Sequence, residues 1–221
     1  MNKQSKNIAI VVGVLVIAVG IWYVVSSISK KPLDSTNQGT NNQTPPVEVV
    51  DPNWKKYSND TYTFSIEYPI DFIQNENYIY QALGPGKDIK GVAFNISEAH
   101  NKGTNLSSDS YFSVEQLPGD QECIARNFIS NPLTENTVEE NGHTYSVVTG
   151  GDAAAGNRYE DTVFATKINS ICYGLRLMVH TTVIENYEPG TIKEYDRQKL
   201  VTLYNRFRST FKPFNNTEGQ Q

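Results

Sequence analysis

An almost uninterrupted apolar run from Ile8 to Ile28 opens the chain, with Lys3 and Lys6 before it, Lys30 and Lys31 after it, and no charge between. As a helix that run is roughly 31 Å long, close to the thickness of a bilayer core, so residues 1–29 are predicted to be a transmembrane anchor with a short flank. A cleaved signal peptide has a shorter apolar core, of about 7–15 residues, with a small-x-small site just past it. Here Ala18-Val19-Gly20 lies inside the run, and no cysteine follows it to carry a lipid. From residue 30 to 52 the chain turns to Asn, Gln, Thr, Ser and Pro with no periodic apolar positions. Such a segment cannot bury enough surface to offset its ordering entropy, and it reads as a disordered tether reaching roughly 25–30 Å. Residues 214–221 read as a disordered tail.

Between them, residues 53–213 alternate with a period of two over most of their length. Tyr62, Phe64, Ile66 and Tyr68 form one apolar row, ended by Pro69, and Val92, Phe94 and Ile96 form another. Such rows predict half-buried strands. Tyr145–Val148 predicts a short strand running into Gly150-Gly151. Tyr159 to Ile168, a turn at Asn169-Ser170, then Ile171 to Thr181 is the clearest hairpin, with Ile171, Tyr173, Leu175, Leu177 and Val179 on one face. The period then changes. Leu200, Leu203, Tyr204, Phe207 and Phe211 fall on one stripe of a helix. Its start has two candidates, a capping box of Thr191 and Glu194 or an N-cap at Asp196, and Pro213 stops it. Strands followed by a terminal amphipathic helix predict an α+β domain, a mostly antiparallel sheet covered on one face by that helix.

Charge narrows the function classes. The chain carries −5, and residues 51–213 alone carry about −6, so a phosphate backbone is repelled and nucleic acid is excluded as a partner. Lysines balanced across the anchor leave its orientation open, and two features decide it: the very short N-terminal flank and a pair of cysteines suited to an oxidising compartment. Together they predict a single-pass cell-membrane protein, N-terminus cytoplasmic and main domain outside. Cys123 and Cys172 belong to no Cys-x-x-Cys motif and read as one disulfide closing a loop of about 50 residues, the alternative being two buried thiols.

Trp54-Lys55-Lys56-Tyr57, followed after a polar gap by Tyr62-Thr63-Phe64-Ser65-Ile66-Glu67-Tyr68-Pro69, resembles the opening motif of membrane-anchored or lipidated bacterial domains of PsbP/Mog1-like type. The close, Phe211-Lys212-Pro213, is similar to the way those domains finish. Gly151–Glu160 and Ile184–Gly190 resemble segments of a group of bacterial proteins that brings no activity with it. The resemblance implies an antiparallel sheet flanked by helices, an exported location and an accessory role beside an envelope complex. It carries over no catalytic residue.

Candidate chemistry is sparse. Cys172 and His180 share a strand face but lie roughly 26 Å apart, too far for a nucleophile–base pair. His100 and His143 sit in polar, turn-like settings. No His-x-His or His-Glu-x-x-His spacing exists, so neither a metal nor another cofactor is expected. Glu160 and Asp161, adjacent in a strand, point to opposite faces and cannot share a proton. The basic residues of the last helix and its approach (Lys193, Arg197, Lys199, Arg206, Arg208) suit its solvent side or anionic lipid headgroups.

The segment from Gly150 to Arg158, rich in Gly and Ala, is the best candidate site, a loop on which Asp152, Asn157 and Arg158 would bind a ligand. It fails both the Walker A and the Gly-x-Gly-x-x-Gly spacings. Two functions stand open. One is a membrane-tethered extracytoplasmic binding module with an envelope protein partner and no catalytic residue. The other is a cell-envelope hydrolase around the Gly150–Arg158 loop, drawing on Asp152, Arg158, Glu160 or Glu185.

Overall fold

The computed structural model describes residues 51–119 and 121–214. The predicted anchor, nearly all of the tether, and the tail beyond Phe214 lie outside the described residues. Among the described residues no helix is long and apolar enough to cross a membrane.

The described residues form ten strands: β1 (Trp54–Asn59), β2 (Phe64–Pro69), β3 (Ile73–Tyr80), β4 (Ile89–Asn95), β5 (Tyr111–Gln116), β6 (Pro132–Glu140), β7 (His143–Ala154), β8 (Asn157–Ile168), β9 (Ile171–Thr182) and β10 (Lys212–Pro213). Helices α1 (Glu98–Asn101) and α2 (Arg197–Ser209) and short 3-10 turns at Ala125–Phe128 and Ile184–Asn186 complete the fold. Seven strands make one antiparallel sheet in the order β3-β4-β5-β9-β8-β7-β6, and β1-β2-β10 make a second. Mostly antiparallel sheet with few helices is the architecture expected.

Strands β6 to β9 run as a meander through three two-residue hairpins. The turn residues Asn141-Gly142, Ala155-Gly156 and Asn169-Ser170 all have positive φ, as type I′ turns require. The Gly150–Arg158 segment is therefore no loop. It is the tip of the β7–β8 hairpin, with Gly150 opposite Asp161, Asp152 opposite Tyr159 and Ala153 opposite Arg158. Its small polar sequence carries no apolar alternation because the tip of the ribbon projects past the core, with Asp152, Ala153 and Ala154 exposed.

One face of the large sheet, here called the front, carries Val92, Phe94, Phe112, Val114, Val147, Tyr173, Leu175, Leu177 and Val179. Against it pack Leu200, Tyr204 and Phe207 of α2 and Tyr57, Phe64, Ile66 and Tyr68 of the small sheet. Phe207 stacks edge-on to Phe94 and tilted to Phe112, and Tyr204 donates its hydroxyl to the Leu175 carbonyl at 2.7 Å. Asp196 is the N-cap, accepting from the Lys199 amide at 2.9 Å. Thr191 instead donates to the Glu188 carbonyl, so the capping-box alternative fails.

The arginines of α2 are a solvent face only in part, Arg197 being exposed and Arg206 half-buried. Arg208 is buried, paired with Glu140, its guanidinium 3.7 Å above the Phe164 ring. Arg206 pairs with Asp51 and lies over Trp54, and Arg197 pairs with Glu160 at 2.5 Å. Each contact ties the helix to a different strand or edge. Two boundaries shift with them. Asp51, assigned to the tether, also bonds the Trp54 amide through its carbonyl, and Phe214, assigned to the tail, donates its amide to Thr63.

Candidate functional site

The back of the large sheet is built differently. A strap from Gln121 to Asn131 crosses it, held by the disulfide Cys123–Cys172, which bears out the disulfide reading over two free thiols. Two glycines let the strap lie close. A Cβ on Gly174 would meet the Phe128 ring at 2.4 Å, and one on Gly150 would meet the Asn131 carbonyl oxygen at 2.3 Å. Beneath the strap, Phe128, Ile129 and Ala125 pack on Ala93, Val148, Val163 and Ala165.

In the middle of this face lies Arg176 of β9, fully buried. Its Nε donates to Glu115 Oε1 at 2.7 Å and its Nη2 to Oε2 at 3.0 Å, a two-pronged pair that fixes both side chains. Nη1 donates to Asp161 at 2.9 Å, Nη2 also reaches the Phe128 carbonyl, and the Tyr80 ring covers the guanidinium at 3.8 Å. Glu115 takes two further donors, the Ser113 and Tyr78 hydroxyls, each at 2.8 Å. The Tyr78 oxygen lies 2.8 Å from that of Tyr111. Burial raises the Asp161 pKa and that of both tyrosines, while Arg176 is held charged by its carboxylate partners despite its own burial.

This chain of hydrogen bonds runs from Tyr111 through Tyr78, Glu115 and Arg176 to Asp161. Both of its ends open on one cavity of about 250 Å³ at the end of the strap. Tyr80, Tyr111, Tyr159 and Met178 give it an aromatic and thioether wall, Ile129 to Asn131 close it from the strap, and Asp161 and Asp152 supply the acidic groups. The lining holds no basic side chain. Register explains the convergence: Tyr111 opposes Met178, Met178 opposes Asp161, and Asp161 opposes Gly150, one row across four strands on the back face.

The predicted site residues separate. Asp152 lines the cavity rim, its carboxylate accepting from the Ala153 amide. Asn157 lies on the same face but turns to His180, 3.0 Å from its Nε2, while Asp109 holds Nδ1 at 2.7 Å. His180 also stacks on Tyr159, with ring centroids 4.3 Å apart. Arg158 is exposed on the opposite face, as strand alternation from Asp152 requires. Glu160 likewise faces α2 while Asp161 faces Arg176, so the two carboxylates diverge as expected. The four residues a hydrolase needed do not meet: Asp152 is on the back, Arg158 and Glu160 on the front, and Glu185 in the turn beyond β9.

Nothing in the alternation of β9 singles out Arg176, because its front-face partners alone account for a buried strand. The legible sign is a lone arginine in the row Cys172, Gly174, Arg176, Met178, where a solvated face would carry several polar groups.

No family model matches the chain, and no curated protein matches its sequence. Among solved structures it is similar to the PsbP protein (CyanoP) of the cyanobacterium Synechocystis sp. PCC 6803, at 14% identity and a TM-score of 0.42 over 76% of this chain and 96% of that one. It is also similar to a protein of Bacteroides thetaiotaomicron VPI-5482, at 14% identity and 0.43 over 74% of this chain and 50% of that one. A third is the Ran-binding protein Mog1p of Saccharomyces cerevisiae, at 12% identity and 0.44 over 75% and 97%. At these identities the likeness is one of fold.

Proposed function

We propose that this protein is a membrane-tethered extracytoplasmic binding module, non-catalytic, which receives an envelope protein partner at the cavity on the back of its large sheet. The observation that carries this reading is how the cavity's polar side chains are held. Asp161 is fixed by buried Arg176, Tyr80 stacks on that guanidinium, and Tyr111 is tied through Tyr78 to buried Glu115, so the wall is preorganised to be recognised. The one histidine near it, His180, has both ring nitrogens engaged by Asp109 and Asn157 and no nucleophile against it.

The tethering part of the reading is supported by the apolar run Ile8–Ile28, the polar stretch after it, and a disulfide that suits an oxidising compartment. The anchor supplies place and the tether supplies reach, leaving the cavity free to orient toward a neighbour in the same membrane.

The test has two arms. A topology reporter fused after Gln221 is expected to be active only in its extracytoplasmic form, and the reverse result overturns the orientation. A photo-reactive residue at position 159, on the cavity wall, is expected to crosslink one envelope protein in intact cells. The same probe at Arg158, on the opposite face, is expected to miss it. Equal labelling from both positions overturns the assignment of the binding surface.

A further inference from the structure

We propose that the cavity takes a basic side chain, the ammonium or guanidinium of a lysine or arginine presented by the partner protein. This rests on the binding-module reading and adds what is bound.

Charge is the first argument. The buried cluster sets one guanidinium, Arg176, against two carboxylates, Glu115 and Asp161. It therefore carries an excess of one negative charge out of water, with no second cation among the cavity's lining residues. An uncompensated buried charge is costly, and a cation entering beside it recovers part of that cost. Asp161 is the member of the cluster that reaches the cavity. Asp152 adds a second carboxylate at the rim, diagonal to Asp161 across the β7–β8 pair, where such positions lie roughly 7–8 Å apart.

The wall is the second argument. Tyr80, Tyr111 and Tyr159 present ring surface, which attracts a cation through its quadrupole and accepts the methylene stem of a long side chain, as the thioether of Met178 does. Tyr80 already stacks on Arg176 from the buried side, so a guanidinium is a chemistry this ring demonstrably accommodates.

Size is the third. About 250 Å³ lies below the roughly 300–1,000 Å³ of typical small-molecule sites and fits one side chain. A metal ion is disfavoured by the donor set: two carboxylates line the cavity, and no group of three His, Cys, Asp or Glu able to hold a metal occurs among the described residues.

Met178 lines the cavity and is one of only two methionines, the other being Met1, so a methyl-labelled full-length chain has a reporter inside the site and another far along the sequence. Titration with N-acetyl-arginine amide or N-acetyl-lysine amide is expected to shift the Met178 methyl signal saturably and leave Met1 in place. N-acetyl-norleucine amide, which keeps the four-carbon stem of lysine and lacks its ammonium, is expected to bind at least tenfold more weakly. Asp161→Asn, which leaves an oxygen acceptor for Arg176, is expected to weaken arginine-amide binding by about 30-fold, and Asp152→Asn, at the exposed rim, by about threefold to fivefold. If Asp161→Asn fails to fold, the rim variant and the norleucine probe still decide.

An equal response to norleucine amide, no response of Met178 to either basic amide, or an equal response to calcium chloride overturns the proposal. Tighter binding of spermidine than of either amide reassigns the site to a free polyamine and overturns the partner side chain. A silent Met178 beside intact crosslinking from position 159 refutes the basic side chain alone. Loss of both refutes the binding surface.

Discussion

The two faces of the large sheet are both buried, yet by opposite means. The front is covered by α2 and the small sheet through aromatic and branched side chains that interlock, Phe94, Phe112, Tyr204 and Phe207 at the centre. The back is covered by an irregular strap stapled through Cys123–Cys172, over small residues and one fully hydrogen-bonded charge cluster. Apolar packing tolerates many arrangements of similar volume, whereas a buried ionic network tolerates few. The front therefore supports the fold, and the back holds the geometry of a site.

The comparison breaks hardest at the centre of each face. Phe207→Ala on the front is expected to cost about 3–5 kcal/mol, the loss of a fully buried aromatic side chain plus its cavity. Arg176→Met on the back is expected to cost a similar 3–5 kcal/mol, but for a different reason, because it strands Glu115 and Asp161 without their cation. The two separate in combination. Adding Glu115→Leu and Asp161→Asn to Arg176→Met is expected to recover much of the loss, while no polar change rescues Phe207→Ala. Chemical denaturation of the three variants reads this directly, and failure of the triple variant to gain over Arg176→Met would count against an uncompensated-charge origin.

Removal of the staple comes next. Cys123 and Cys172 are 49 residues apart in sequence, and in the chain-entropy model their bond contributes about 4 kcal/mol. Cys123→Ser with Cys172→Ser is expected to lower stability by up to that amount and to loosen the strap first. Hydrogen exchange should accelerate at Ala125 and Ile129, whose amides bond Ser146 Oγ and the Arg126 carbonyl, before it does in α2. Uniform acceleration would mean that the two coverings unfold as one.

How much of this was legible follows the same division. Rows such as Phe64, Ile66, Tyr68 and Ile171 to Val179 alternate cleanly, and the α2 stripe keeps its 3.6 period, so β2, β4, part of β7, the β8–β9 hairpin and the helix were readable. Strand β3 was not, because its residues Gln74 to Asn77 are polar and its pairing with β4 shifts register between Asn75 and Tyr78. Nor was β6, an edge strand exposed along most of its length. The site was half readable. Gly150 and Asp152 stood out by composition, but the cavity also needs Tyr80, Tyr111 and Met178 from strands far apart in sequence, and their meeting is decided by strand order, which alternation does not encode. Arginines 206 and 208 were misread for a related reason: a basic last turn satisfies the helix dipole whether or not a carboxylate waits opposite.

A smaller effect lies at the tip of the β7–β8 ribbon, where the back face runs out into solvent. Ala155 holds φ 50, a left-handed conformation that costs a residue with a Cβ roughly 1–2 kcal/mol. Ala155→Gly is expected to relieve that strain and raise stability by up to about 1 kcal/mol after the added freedom of the unfolded chain is subtracted, seen as a higher thermal midpoint. An unchanged or lower midpoint would mean that the tip is not held in the type I′ geometry.

The finest distinction between the faces is the sign of their response to acid. On the back, burial outweighs Arg176 and raises the Asp161 pKa above its ordinary value of 3.8. The folded state then holds that proton more tightly than the unfolded chain. Its contribution to stability is full below pH 3.8 and is lost as pH rises through the raised folded value. At the edge of the front, the hydrogen bond from Arg206 and then the Asn53 amide lower the Asp51 pKa. That contribution runs the other way, present above pH 3.8 and lost as pH falls through the lowered folded value. Asp161→Asn is therefore expected to remove a component of stability that declines with rising pH, and Asp51→Asn one that declines with falling pH. Denaturation midpoints measured from pH 3 to pH 7 for both variants against the parent chain test this. Difference curves of the same sign would show that Arg176, and not burial, governs Asp161.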